Sequence, residues 1–416
     1  MVVNICIFED IEYKNLLPLV YFRPVYELKC GCLTLREKIE FYYNVSSSIL
    51  HCRKYLADTV NNFPDIKSVN NINAKAVLFF NGRILANSEI KKIIPLEGKD
   101  ALYIKDGAVL AARLSGENLS KINLTENEFI NFGQFQNIRK EVANITLINY
   151  PWELINNNFT ALLDDFNILK KLRRASNERK FKGVHQLKKK NILIENKVDI
   201  LPNVVMDAEN GPIYISKGVK ILANVYIQGP VFIGKNTLVK SNAAIYQTTI
   251  GEVCKIGGEI DNSIIHSYTN KQHEGYLGHS YLASWINIGA STNNSDLKNN
   301  YGNVKVLLNS ESVDTLSQLV GLIMGDHSKT AINTMFNTGT IVGVACNIFG
   351  SGFPKRYLPS FTWGGSDLMK TNNLKEIIES AEIVMSRRNI SMTKTDKELF
   401  HTVFDLTKEE RVKYFR

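Results

Sequence analysis

The sequence predicts an α/β domain followed by a parallel β-helix and terminal helices, and three observations carry that expectation. Ile215, Ile221, Ile227, Ile233, Val239 and Ile245 recur at every sixth position. An α-helix repeats at about 3.6 residues and a plain strand at two, so an unbroken period of six points to hexapeptide coils stacked into a prism. The chain also opens with an apolar strand, VVNICIF (2–8), then turn chemistry and a helical pattern, the usual start of an α/β layer. Its tail, from about residue 372, reads as two amphipathic helices placed to close the open end of a solenoid.

In order, residues 9–43 carry turn signals at Pro18, Pro24 and Gly31, then a helix with Leu33, Leu35, Ile39 and Phe41 on or near one face. A second buried strand, 76–85, ends in Asn81-Gly82-Arg83, and Asp106-Gly107 marks a tight hairpin. Residues 150–185 are Asn-rich and helical, a connector with Leu154, Ile155, Leu162, Leu163, Phe166 and Leu169 as its apolar stripe. The six-spacing starts at Ile192, Val198 and Val204, breaks at AENGP, runs from Ile215 through Ile250 and Ile256, and returns at Phe336, Val342 and Ile348. Gly218, Asn224, Gly229, Gly234, Asn236 and Asn242 fall between aliphatic positions, where Gly and Asn enter positive φ at little cost. The expected domains are 1–185, 186–368 and a helical cap, 369–416.

Composition narrows the class of function. The 416 residues exceed one core, and no apolar run nears the roughly 20 residues that span a bilayer. The N-terminus lacks a basic signal region, so the expected location is cytoplasmic, with no membrane partner. The net charge is +9, and the basic residues are spread out apart from a cluster at Lys170, Lys171, Arg173, Arg174, Arg179, Lys180, Lys182 and Lys188–Lys190. Without aromatic interleaving, that cluster suits a solvated linker or anionic small molecules better than nucleic acid. Cys6, Cys30, Cys32, Cys52, Cys254 and Cys346 are scattered away from His at metal spacing, which predicts reduced thiols and no zinc.

The polar stretch 258–305 is the largest departure from the repeat and holds His266, His273 and His279. Function is grafted where a repeat is interrupted, because the repeat itself needs no such residues. A neutral imidazole, ordinarily near pKa ~6.5, suits removal of a proton from an amine at neutral pH, and His273 is the candidate base.

Two resemblances sharpen this reading. Pro18-Leu19, Arg23-Pro24, Leu28, Gly31 and the later Asn81-Gly82 are similar in order to a sugar-nucleotidyltransferase domain with a Rossmann-like sheet. Where that family has a Gly-x-Gly-Thr-Arg phosphate loop, this chain has Phe8-Glu9-Asp10, and Arg83 stands where the family's metal-binding carboxylate would be. Arg23, Lys29 and Arg83 are the candidate phosphate cations, and Mg²⁺ is implied only if this domain is catalytic. The pattern His273, Tyr276-Leu277-Gly278, Asn287-Ile288-Gly289-Ala290, Thr292 resembles the acetyltransferase domain of the bifunctional N-acetylglucosamine-1-phosphate uridyltransferase/glucosamine-1-phosphate acetyltransferase family. The layout, with WGG at 363–365, is most similar to a divergent Bacteroidetes-type subgroup.

The second resemblance implies a left-handed β-helix, a homotrimer, acetyl-CoA as acyl donor and a sugar phosphate as acceptor. It implies that Tyr276 and Asn287 hold the sugar and that Gly289 and Ala290 meet the thioester. Three family positions differ: a phosphate-binding Arg falls near Ala243, a substrate Lys at Asp261 and an Asn at Asp296. Lys240, Lys271, Lys298 and Lys305 are the candidate replacements, the last two suited equally to coenzyme A phosphates. The runners-up are a nucleotidyltransferase whose solenoid only trimerises it and a non-catalytic sugar-nucleotide scaffold.

Overall fold

The computed structural model describes residues 3–124, 128–172, 181–308 and 311–415. Arg173, Arg174, Arg179 and Lys180 of the basic cluster lie outside the described residues. The chain forms two units: Met1–Leu16, Phe22–Leu28 and Leu33–Tyr150 make the first, and Leu17–Tyr21, Lys29–Cys32 and Pro151–Arg416 the second.

The first unit is built on seven strands: β1 (Asn4–Phe8), β2 (Ser48–His51), β3 (Ile66–Val69), β4 (Ala76–Asn81), β5 (Ala101–Lys105), β6 (Ala108–Ser115) and β7 (Arg139–Val142). Their order is β7-β5-β6-β4-β1-β2-β3, and β3, β2, β1 and β4 run parallel. The chain leaves β1 to opposite sides, which puts its carboxyl end at a topological switch point where such sheets bind ligands. Cys6, Phe8, Val77, Phe79 and Leu114 form one face of the core with Phe132 and Phe135. Helix α1 (Leu35–Tyr43) starts on a capping box, Thr34 with Glu37, and buries Leu35 and Ile39; Leu33 precedes it in a two-residue strand. Asp106 (φ 49°) and Gly107 (φ 83°) make the β5–β6 turn, as their dipeptide predicts.

The second unit is a left-handed β-helix with three parallel walls, of six, nine and five strands. The last wall continues through Asn287 to Lys329 and a further four strands. All six residues of the predicted aliphatic series are fully buried. They stack in three inward columns, for example Ile215, Ile233, Ile250 and Ile265 on one wall. Before AENGP the expected series is two residues out of register, because Ile194, Ile200 and Met206 are the residues that pair with Ile215, Ile221 and Ile227. Ile192, Val198 and Val204 are buried beside them.

Gly218, Asn224, Asn236 and Asn242 hold positive φ at the corners, between 56° and 76°. Gly229 and Gly234 do not, and serve close approach instead. A Cβ on Gly229 would lie 2.1 Å from the Gly211 carbonyl oxygen, and one on Gly234 would lie 2.5 Å from the Gly251 carbonyl carbon.

Helix α2 (Pro151–Leu172) groups with the solenoid, so the division falls at Pro151. Its apolar stripe is buried apart from half-buried Leu163, and Asn158 and Asp165 are buried with it, while Asn156, Thr160, Asp164 and Asn167 stay exposed. Asn158 accepts from the Gly31 amide (2.7 Å) and from Thr249 (3.0 Å), and Asp165 accepts from the Cys32 amide (2.7 Å). These buried hydrogen bonds tie the helix and Lys29–Cys32 to one solenoid wall, which a solvated connector would not do.

The tail forms three helices: α3 (Leu374–Ser386), α4 (Lys394–Leu406) and α5 (Lys408–Tyr414). They flank a corner rather than only seal the end. Phe400 meets His327 edge-on, Phe404 meets Phe361, and Arg388 reaches back to Asn270 at 3.0 Å. The last parallel strand is covered by an antiparallel one, Met369–Thr371. No described helix is long and apolar enough to cross a membrane. All six cysteines are buried and unpaired as disulfides.

Candidate active site

In the solenoid, residues Asn270–Lys271 and Tyr276–Gly278 belong to successive walls of one coil, and His273 sits in the bend between them. Its side chain is exposed, and its carbonyl accepts a 2.7 Å hydrogen bond from Lys271 Nζ.

Lys271 corrects an expectation. It occupies the inward column that runs Ile200, Ile221, Val239, Ile256, and is 1 % exposed. Its ammonium donates to the carbonyls of Gly257 (3.2 Å) and His273, and burial lowers its pKa to about 8 against a smaller opposing pull from Glu274. A side chain so enclosed does not reach a substrate; it fixes the loop that carries His273.

Across the strand from His273 lies a cluster that no motif announced. Asp296 Oδ2 is 2.8 Å from His279 Nδ1 and accepts from the Tyr276 hydroxyl at 2.8 Å. Burial acts to raise the Asp296 pKa, yet the hydrogen bonds from His279 and Tyr276 outweigh it and hold the carboxyl below its usual range. The same neighbourhood holds Asp261, whose pKa burial raises. An imidazole held at Nδ1 by a carboxylate has its tautomer and direction set, with Nε2 left to exchange a proton. The sequence singles out Tyr276 by its motif, whereas Asp296 stands only as a departure from an Asn of the resembled family and His279 only as a histidine after the Tyr-Leu-Gly triplet.

Asn287 is exposed and accepts from Asn270 at 3.3 Å. The Gly289 amide donates to Thr330 Oγ1 (2.9 Å), so that N–H is committed to the fold, and the Ala290 carbonyl accepts from Asn333. Lys298 Nζ bonds the Asn303 carbonyl (3.0 Å), and Lys305 is exposed at the start of a hairpin, Lys305–Leu308 with Glu311–Asp314. His266 is tied to Ser284 at 3.0 Å.

The candidate phosphate cations fall in different units. Lys29 belongs to the second unit, its amide donating to the Tyr281 hydroxyl at 2.9 Å. Arg23 is buried, and its carbonyl accepts from Arg53. Arg83 is 1 % exposed and grips Asp10 with Nε and Nη2 (3.0 and 2.6 Å), Asn149 with Nη1 (2.7 Å) and the Ile148 carbonyl (3.1 Å). Next to it, fully buried Glu9 pairs with Arg53 and accepts from the amides of Val25 and Arg53. Both carboxylates at the end of β1 are thus neutralised from within. Such a set does not fit Mg²⁺, whose oxygen ligands would have to be released from two guanidinium groups. Among the described residues no cluster of His, Cys, Asp and Glu could hold a metal ion.

Residues 5–174 match the family of sugar nucleotidyl transferases. That stretch, less than half of the chain, is thus similar to a sugar nucleotidyl transferase domain, with Glu9 and Asp10 at the end of β1. It is 35 % identical over 105 residues to the bifunctional protein GlmU of Methanocaldococcus jannaschii, covering 25 % of this chain and 26 % of that one. It is 24 % identical over 242 residues to a bifunctional sugar-1-phosphate nucleotidylyltransferase/acetyltransferase of Sulfurisphaera tokodaii, covering 56 % and 53 %. The chain thus spans a quarter to about half the length of these curated relatives. An Arabidopsis UDP-N-acetylglucosamine acyltransferase structure aligns over 55 % of this chain and 90 % of its own, at 14 % identity and a TM-score of 0.20.

Proposed function

We propose that the second unit is an acetyl-CoA-dependent N-acetyltransferase acting on an amino-sugar phosphate of the glucosamine-1-phosphate kind. On this reading it serves UDP-N-acetylglucosamine-type synthesis for the cell envelope, in the cytoplasm, as a homotrimer. The observation that carries it is the pair of imidazoles flanking Tyr276–Gly278, one on a loop pinned by Lys271 and one oriented by Asp296. Acetyltransferase in the name of the Sulfurisphaera relative supports the same class.

The amine nitrogen forms a bond to the thioester carbonyl carbon while the base removes its proton. The carbon–sulfur bond then breaks, and the thiolate of coenzyme A leaves. His273 is the base by the His-x-x-Tyr-Leu-Gly pattern, with Tyr276 and Asn287 toward the sugar. Gly289, Ala290, Lys298 and Lys305 lie toward the coenzyme, with the Gly289 amide already used by Thr330.

The 2.8 Å contact to Asp296 favours a second assignment, in which His279 is the base and His273 lines the entrance. Rates of thiol release with glucosamine 1-phosphate separate the two. If His273 is the base, His273→Ala lowers kcat by about 100-fold or more while Asp296→Asn does not; if His279 is the base, the pattern reverses. A chain in which both variants turn over like the parent has neither base. The nucleotidyl transferase match supports a further activity in the first unit, tested by pyrophosphate release from UTP or dTTP with a sugar phosphate and Mg²⁺.

A further inference from the structure

A cleft of about 610 Å³ opens in the second unit between one solenoid corner and the end of α3. Four cations line it: Lys255 and Lys329 from the wall, Arg387 and Arg388 from the residues that follow α3. Among the described residues its lining contains no Asp or Glu. Burial lowers the pKa of Lys255, and Arg388, Lys240 and Arg387 lower it further; burial lowers that of Lys329 too. Elsewhere this chain pairs enclosed guanidinium groups with carboxylates, as in Arg36 with Glu27, Arg53 with Glu9 and Arg83 with Asp10, or rests them on carbonyl and hydroxyl oxygens, as at Arg113 and Arg411. Four facing cations without a carboxylate among them are stabilised by an anion from outside. The helix dipole accounts for arginines at the end of α3 but not for the lysines opposite.

The corner itself supplies a second observation. Positive φ runs up this corner through Asn236 (56°), Val253 (58°), Tyr268 (63°), Trp285 (63°), His327 (60°), Ala345 (54°) and Phe361 (62°), and at the level of the cleft the side chains that hold it are aromatic. Tyr268 and Trp285 stack at 4.3 Å. His327 lies against Phe400 of α4, whereas Tyr268 and Trp285 edge the cleft beside Asn270, Gln272 and Asn287. The carboxamides suit hydroxyl groups, and the volume is that of a nucleotide-sized ligand.

We propose that this cleft binds a pyrophosphate-bearing ligand, its two linked phosphates on Lys255, Lys329, Arg387 and Arg388 and its adjoining hydroxyl-bearing group on the carboxamides. Coenzyme A and a nucleotide sugar both carry that chemistry. The cleft shares Asn287 with the proposed acetyl-transfer site, while its four cations stand apart from that reading.

Isothermal titration of the full chain with inorganic pyrophosphate, coenzyme A and a UDP-sugar tests it, at low and raised salt. The expected result is binding of coenzyme A or the UDP-sugar that weakens with salt, and about tenfold weaker binding in both Lys255→Gln and Lys329→Gln. Whichever larger ligand binds names the source. Removing one of four like charges leaves Tm without ligand unchanged or higher, where loss of a merely structural lysine would lower it. Lys394→Gln, on α4 and outside the cleft lining, is the unaffected control. No binding by any of the three overturns the proposal. So does binding that both variants leave intact, or binding of inorganic pyrophosphate with neither larger ligand.

Discussion

Replacing Lys271 by methionine separates the cost of its charge from the value of its contacts. The residue sits between Ile256 and Ile288 in a column of aliphatic side chains, and its pKa falls from 10.5 to about 8. That fall corresponds to about 3 kcal/mol by which the folded state disfavours the charged form. Below about pH 8 folded and unfolded chains both carry the proton, so the folded state bears the whole cost. Between about 8 and 10.5 only the unfolded chain keeps it, and stability rises with pH; above that window the cost is gone.

Methionine has similar length and no charge, but it leaves the carbonyls of Gly257 and His273 without this donor, at roughly 1 kcal/mol each. The variant should therefore be about 1 kcal/mol more stable than the parent near pH 7.5. The parent should overtake it as pH rises, the difference moving by about 2 kcal/mol between pH 7.5 and 9.5. All three tryptophans, Trp152, Trp285 and Trp363, lie in the second unit, so urea unfolding followed by their fluorescence reports on the solenoid. A difference that stays constant across this range would refute a desolvated lysine in the stack. The released loop should also lower kcat if His273 is the base, with the coenzyme KM unchanged.

Three further outcomes follow from the packing. Glu9→Gln leaves Arg53 buried without its anion and should cost the first unit about 3–5 kcal/mol, seen as a lower thermal midpoint by circular dichroism; an unchanged midpoint would mean the pair is not enclosed. Gly234→Ala drives a methyl into the Gly251 backbone and should cost about 1–3 kcal/mol in the same urea assay, more than Gly107→Ala would through contact, since nothing lies near that turn. Coenzyme A at 100 times its Kd should stabilise the solenoid by about 2.7 kcal/mol, and a chain that no coenzyme, nucleotide or sugar phosphate stabilises would be the scaffold instead.

Much of the solenoid was legible because one spacing served the coils from Ile215 to Ile245. A residue that must point inward on a three-sided prism recurs at six, and Ile215 to Ile245 obey it without a gap. The misreading before AENGP has a plain cause: Ile192, Val198 and Val204 are also apolar and six apart, so only the pairing with Ile213–Ile215 chooses between two series. Helix α2 looked like a connector because Asn158 and Asp165 read as solvent-facing, whereas their partners are amides distant in sequence. Lys271 read as a ligand group for the same reason, its carbonyl partners being invisible to composition.

The sequence by itself determined the class of fold, a sheet-based domain before a stacked prism, and the stretch where chemistry concentrates. Both follow from local periodicity and its interruption, which a linear text records. The tertiary structure alone decided which charges meet: Glu9 with Arg53, Asp10 with Arg83, Asp296 with His279, and four cations with no acid among them. Charge interaction depends on distance and on exclusion of water, and neither exists until the coils are stacked.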